Sequence, residues 1–147
     1  TIRVPKEQWP ELLAEQLRGF GGPLADIRAR LGTSSRINYR PLEKLLLPLP
    51  WHRGLAVLIG DAAHATTPHL ASGAGLAVED ALILSELLAS DLAPEAALER
   101  FSERRFGRCR MVVENSVRLG ELEMKHAPPQ EQAALQRASM LALNEPI

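Results

Sequence analysis

The residues with the most chemistry to offer stand close together. Asp61, His64 and His69 fall in the stretch GDAAHATTPHLASGAG, which also holds Pro68 and the small-residue triplet Gly73, Ala74 and Gly75. Asp61 stands where an apolar run ends and a loop begins, a place that suits a ligand-binding carboxylate and equally a cap or turn residue. The triplet opens a helical pattern. N–H groups at a helix start lack intrahelical partners and carry the positive end of the dipole, so they suit an acceptor or an anion. Pro68 stiffens the loop between the two groups. The spacing D-x2-H-x4-H is no established ligand pattern, and no third nitrogen or sulfur donor is near, so no metal is expected. Ser72 and Ser85 lack the G-x-S-x-G elbow of a hydrolytic nucleophile. Glu79 and Asp80 read as carboxylates placed where a helix start favours them.

These groups need elements to hold them, and the stretch Trp51 to Ala89 supplies three. Leu55 to Ile59 is an unbroken apolar run, expected to be a buried strand. Gly60 to Gly75 is expected to be a loop. Leu76 to Ala89 is strongly helical. A strand, a glycine-bearing loop and a helix start are how parallel α/β proteins present backbone N–H groups to a ligand. Before this unit, Thr1 to Pro5 suggests a short edge strand, Lys6 to Phe20 and Pro23 to Leu31 two helices, and Arg36 to Arg40 a strand. Leu42 to Pro50 is broken by Pro48 and Pro50 and reads as extended. After it, Glu95 to Lys125 is one long helix that Gly107 and Gly120 weaken, and Glu131 to Leu143 a last short one. The run Arg100, Arg104, Arg105, Arg108 and Arg110 reads as a solvated face, and Cys109 as inert core. The chain is therefore expected to be mainly α with a few short strands. Leu55 to Ile59 has no obvious parallel neighbour, and a lone buried strand leaves backbone groups unpaired. The rest of a sheet is expected to lie elsewhere.

The totals set bounds. The 147 residues suggest one domain or parts of two, and 46% apolar with 24% charged residues suggests a globular chain. A net charge of −1 gives no reason to expect nucleic acid. The single cysteine excludes an internal disulfide and fits a reducing, cytoplasmic setting. No apolar run approaches the ~20 residues of a membrane span, and no signal peptide opens the chain.

The run GDAAHATTPHLASGAGLAVEDA, with Trp51 and Gly54 ahead of it and ALERFSERRFGRCRMVVENSVRLG after it, resembles the second flavin motif and C-terminal helix of the class A FAD-dependent aromatic-ring monooxygenases. That group includes the p-hydroxybenzoate and salicylate hydroxylases. The resemblance covers Tyr39 to about Gly120. It implies an α/β parent with a Rossmann-like FAD-binding fold interrupted by a substrate-binding domain. Residues 1–50 would close the substrate domain, 51–92 return to the FAD-binding domain, and 93–147 form a C-terminal helical segment. The family's GxGxxG is absent here, so the chain resembles a C-terminal portion whose N-terminal FAD-binding half is missing.

By resemblance, Asp61 accepts from a ribityl hydroxyl of FAD, Pro68 lies beside the flavin, and Gly73, Ala74 and Gly75 face its pyrimidine edge. His64 is implied to pack under the loop, and His69 is a minority candidate for the active-site lining. Relatives often carry glycine where Ala71 stands, and alanine is strained there if φ is positive. The implied reaction hydroxylates an aromatic or related ring with NAD(P)H and O2, and the isolated chain is expected to be inactive. Two alternatives stand beside it. One is a related flavin reductase or dehydrogenase. The other is a non-catalytic helical module that self-associates, as a homodimer for instance, through its unpaired strand and apolar surface.

Overall fold

The structure, a computed structural model, describes residues 4–147. It comprises two units, residues 1–41 and 42–147. The expected edge strand at Thr1 to Pro5 lies largely outside the described residues, and Val4 and Pro5 belong to no strand.

In the first unit, a 3-10 turn at Lys6–Gln8 leads into α1 (Trp9–Gln16), and α2 (Pro23–Arg30) follows. Both helices begin with proline in their first turn, where its missing N–H costs nothing. Gly22, at φ 57, makes the turn into α2. Neither helix has a fully buried residue. The Trp9 ring sits 5.5 Å from Tyr39, and its Nε1–H donates to the Val4 carbonyl at 3.0 Å. Arg36 to Arg40 forms no strand. Strand residues need a partner ladder, and none is present for this segment among the described residues.

The second unit is built on α5 (Pro94–Met124), a single helix of 31 residues, about 46 Å long at 1.5 Å per residue. Gly107 and Gly120 do not interrupt it. The helix α4 (Gly73–Leu88) buries Leu76, Asp80, Ile83 and Leu87, and α6 (Pro129–Leu143) packs on α5 as well. Asn115 donates to Ser139 Oγ at 2.9 Å. Arg108 donates to the carbonyls of Ala142 at 3.3 Å and Glu145 at 3.0 Å, which anchors the end of α6. The core joins Trp51, Ala63, Leu70, Phe101, Cys109, Val112 and Leu119 to the buried face of α4. As the prolines require, Leu42 to Pro50 is extended, and its Leu45 and Leu47 N–H groups donate to Ala65 and Ala63 at 2.9 Å.

The expected buried strand at Leu55 to Ile59 is not found. Two short strands, β1 (His52–Arg53) and β2 (Ala56–Val57), pair antiparallel instead. Gly54, at φ 55, supplies the positive φ of their two-residue turn. Leu55 is 74% exposed, and Leu58 and Ile59 are exposed too. An apolar run is buried only where something covers it, and within this unit only Val57 packs against the core. The expected loop Gly60 to Gly75 is also more ordered than its composition suggested. It holds α3 (Asp61–His64) and a 3-10 turn at Pro68–Leu70, and α4 begins at Gly73 rather than Leu76.

Candidate functional site

Asp61 opens α3 from an unusual residue. Gly60 has φ 57 and ψ −140, and a Cβ there would come within 3.2 Å of the Ala77 Cβ. Only glycine fits on both counts. Its carbonyl accepts the N–H groups of Ala63 and His64 at 2.9 Å, which closes the short helix. Its own N–H donates to Asp80 Oδ2 at 2.8 Å. Asp61 itself is exposed, and its carboxylate has no hydrogen-bond or ion-pair partner among the described residues.

Downstream, the chain turns at Pro68–Leu70 and passes through Ala71 at φ 51 and ψ 24, the left-handed region. The alanine is strained there, since a residue with a Cβ pays for a positive φ. Ala71→Gly is expected to stabilise the chain by about 1 kcal/mol, read as a higher urea midpoint at unchanged slope. Ser72 does not cap α4. Its hydroxyl turns back to the Leu70 carbonyl at 2.8 Å. The first intrahelical bond of α4 is donated by Leu76 to the Ser72 carbonyl, so the N–H groups of Gly73, Ala74 and Gly75 lack intrahelical acceptors.

Asp61, Pro68, Gly73 and Ala74 line one open recess of about 270 Å³. Thr66, Thr67, Ala71 and Ser72 complete its wall, and Gly75 is not part of it. Gly73 is small for a reason, since a Cβ there would meet Thr66 Cγ2 at 3.2 Å. The recess is below the range of about 300–1,000 Å³ typical of ligand pockets, and it is open to one side. An acceptor-only carboxylate faces it from one helix, and uncapped amides from another. That donor set matches a ligand with a hydroxylated chain at one end and hydrogen-bond acceptors at the other.

Under this wall lies a buried polar cluster that sequence reasoning did not find. Asp80 is 0% and Arg105 1% exposed. Arg105 Nε–H donates to Asp80 Oδ1 at 2.7 Å, and its Nη2 pairs with Glu79 Oε2 at 2.8 Å. Arg108 donates to Glu79 Oε1 at 3.0 Å. Asp80 Oδ2 lies 2.6 Å from His64 Nε2, which must carry the proton because an ionised carboxylate only accepts. Burial alone would push the Asp80 carboxyl up. Hydrogen bonds from His64, the Gly60 N–H and Arg105 outweigh it and hold the group below the usual carboxylate range. Two expectations are therefore corrected. Asp80 is a buried anchor rather than a dipole partner, and Arg105 is not on a solvated face.

His64 packs beneath the loop, its ring 5.3 Å from that of Trp51. His64, Asp80 and Cys109 bring potential ligand atoms within 4.8 Å of one another. The cluster suits no cation. Both Asp80 oxygens are taken, Arg105 already supplies positive charge, and burial pushes the Cys109 thiol up to about 12.

His69 lies on α5. Its Nδ1 is 3.0 Å from Thr67 Oγ1, its Nε2 3.7 Å from Glu123 Oε2, and a Cβ on Gly120 would come within 2.6 Å of its ring. Glycine in a helix interior normally costs about 1 kcal/mol relative to alanine. Gly120→Ala is expected to lower stability instead, by about 1–2 kcal/mol, because the ring must leave its seat. Thermal unfolding would show the reversed sign.

The FAD binding domain family profile matches residues 43–116, half of the chain. The 2-heptyl-3-hydroxy-4(1H)-quinolone synthase of Pseudomonas aeruginosa is 38% identical over 137 residues, covering 87% of this chain and 35% of that protein. The 3-amino-4-hydroxybenzoate 2-monooxygenase of Streptomyces platensis is 35% identical over 128 residues, 84% of this chain and 32% of that protein. The 6-hydroxynicotinate 3-monooxygenase of Bordetella bronchiseptica is 38% identical over 92 residues, 57% of this chain and 24% of that protein. The chain thus spans about a third or less of the length of these curated relatives. No solved structure matches it. With a family profile over half its length, and the site wall inside the matched region, the chain belongs to the FAD binding domain family of the class A flavin monooxygenases, whose cofactor is FAD.

Proposed function

We propose that this chain supplies the ribityl and flavin-ring side of the FAD site in a monooxygenase that hydroxylates an aromatic or related ring with NAD(P)H and O2. One observation carries the reading: a free carboxylate, Asp61, and the uncapped start of α4 border a single recess. Asp61 would accept a hydrogen bond from a ribityl hydroxyl. The N–H groups of Gly73, Ala74 and Gly75 would donate to the pyrimidine edge, and Pro68 would hold the loop against the ring. Bound FAD would supply the redox and oxygen chemistry; the protein's part is binding, orientation and electrostatics. A helix N-terminus at the pyrimidine edge favours the negative charge that reduced flavin carries there.

On this reading the recess is one wall of the FAD site, and the pyrophosphate side comes from an N-terminal FAD-binding half. In this reading residues 1–50 close the substrate-binding domain, 51–92 return to the FAD-binding domain, and 93–147 are its helical end. Exposed Leu55, Leu58 and Ile59, with Val78 and Leu82 of α4, are the apolar surface such a half would cover. The same surface supports a second reading, self-association of the isolated chain. A mass in sedimentation that does not change with concentration would count against that one.

The flavin reading is tested by titrating the chain with FAD and following flavin fluorescence. Saturable binding is expected, weakened about tenfold or more by Asp61→Ala, the equivalent of one charge-assisted hydrogen bond. Equal binding by both proteins, or none by the wild type, would contradict it.

A further inference from the structure

Asp80 makes none of the flavin contacts proposed above, yet it holds the residue that places them. One of its oxygens, Oδ2, takes the Gly60 N–H at 2.8 Å and the His64 Nε2–H at 2.6 Å. Gly60 precedes α3 and His64 is its last residue, so a single carboxylate oxygen ties both ends of the helix that begins with Asp61. A helix of four residues is too short to hold itself. Asp61 has no side-chain partner among the described residues to fix its direction. It takes that direction from the turn beneath it. The other Asp80 oxygen is occupied by Arg105, which reaches across from α5.

From this juxtaposition we infer that Asp80 is a positioning residue of the cofactor site, acting through Gly60 and His64 to aim Asp61, while Arg105 holds Asp80 in place. The inference rests on the flavin reading of Asp61. The rival role is purely structural, with Asp80 present only to neutralise a buried guanidinium.

The double variant Asp80→Leu/Arg105→Met separates the two roles. Replacing a buried ion pair with apolar side chains of similar volume is often neutral or stabilising, so the fold is kept while Gly60 and His64 lose their acceptor. The 147-residue chain is compared by amide NMR and hydrogen exchange. The wild-type Gly60 amide proton is expected far downfield, because its acceptor is charged. In the double variant it should move upfield, and the Gly60, Ala63 and His64 amides should lose protection about tenfold. Amides of α6 should not change. FAD affinity should fall about tenfold.

A folded double variant with wild-type protection at these amides and wild-type FAD affinity would overturn the inference. If the double variant does not fold, His64→Phe, which removes one of the two bonds to Asp80 Oδ2 and leaves the buried ion pair intact, gives the comparison at the Ala63 and His64 amides. Unchanged amides there overturn the inference equally. A wild-type chain that binds no FAD, while the variant still loses protection at Gly60 to His64, contradicts the flavin reading alone. The amides decide the placement of the turn in either case.

Discussion

Arg105→Met is expected to lower the unfolding free energy by about 3–5 kcal/mol, because it leaves the Asp80 carboxylate buried without a cation. Asp80 is 0% exposed, so water cannot take the place of the guanidinium. Glu79 would keep Arg108, its second partner, so the loss falls on Asp80. The neighbouring residue is the control. Arg104 pairs with Glu86 at 3.3 Å, but their side chains are 35% and 62% exposed. Arg104→Met should stay within about 0.5 kcal/mol of the wild type. Urea unfolding of the two variants checks both at once. Equal losses would mean that Arg105 is not buried as described.

Trp51→Ala should cost about 3–5 kcal/mol. Trp51 joins three segments that are distant in sequence. Its ring lies 5.3 Å from His64 in α3, and 6.3 and 6.0 Å from Phe101 and Phe106 in α5. Its Nε1–H donates to the Leu47 carbonyl at 3.0 Å. Trp51→Phe keeps most of the apolar contact and loses that bond, so a smaller loss of about 1–2 kcal/mol is expected. Because the ring packs on His64, the alanine variant should also loosen α3. Protease cleavage near Gly60 before global unfolding would report it.

The long helices were legible because their signal is local. Leu98, Phe101, Cys109, Val112 and Leu119 repeat at helical spacing, and all are among the residues α5 buries. The grouping of Asp61, Pro68, Gly73 and Ala74 around one recess was legible only through the family motif. Nothing in composition or period says that a loop of small residues folds back on itself. Arg105 was misread, although a signal existed. It stands four residues after Phe101 and four before Cys109, on the buried stripe, and the charge of its neighbours masked that position. Asp80 likewise stands four after Leu76 and three before Ile83. The pairing of the two needs α4 against α5, which no local pattern contains. Leu55 to Ile59 failed for the opposite reason. Its composition suits a buried strand, but burial depends on a covering surface that these residues cannot specify.

The measurement that bears most directly on the flavin site is an amide chemical-shift map of the 147-residue chain titrated with FAD. Shifts concentrated at Asp61, Thr67 and Gly73 to Gly75, and absent from Asp61→Ala at the same FAD concentration, are the expected result. Shifts confined to the first unit, or spread without focus over exposed apolar residues such as Leu55 and Leu82, would contradict a flavin site on this wall.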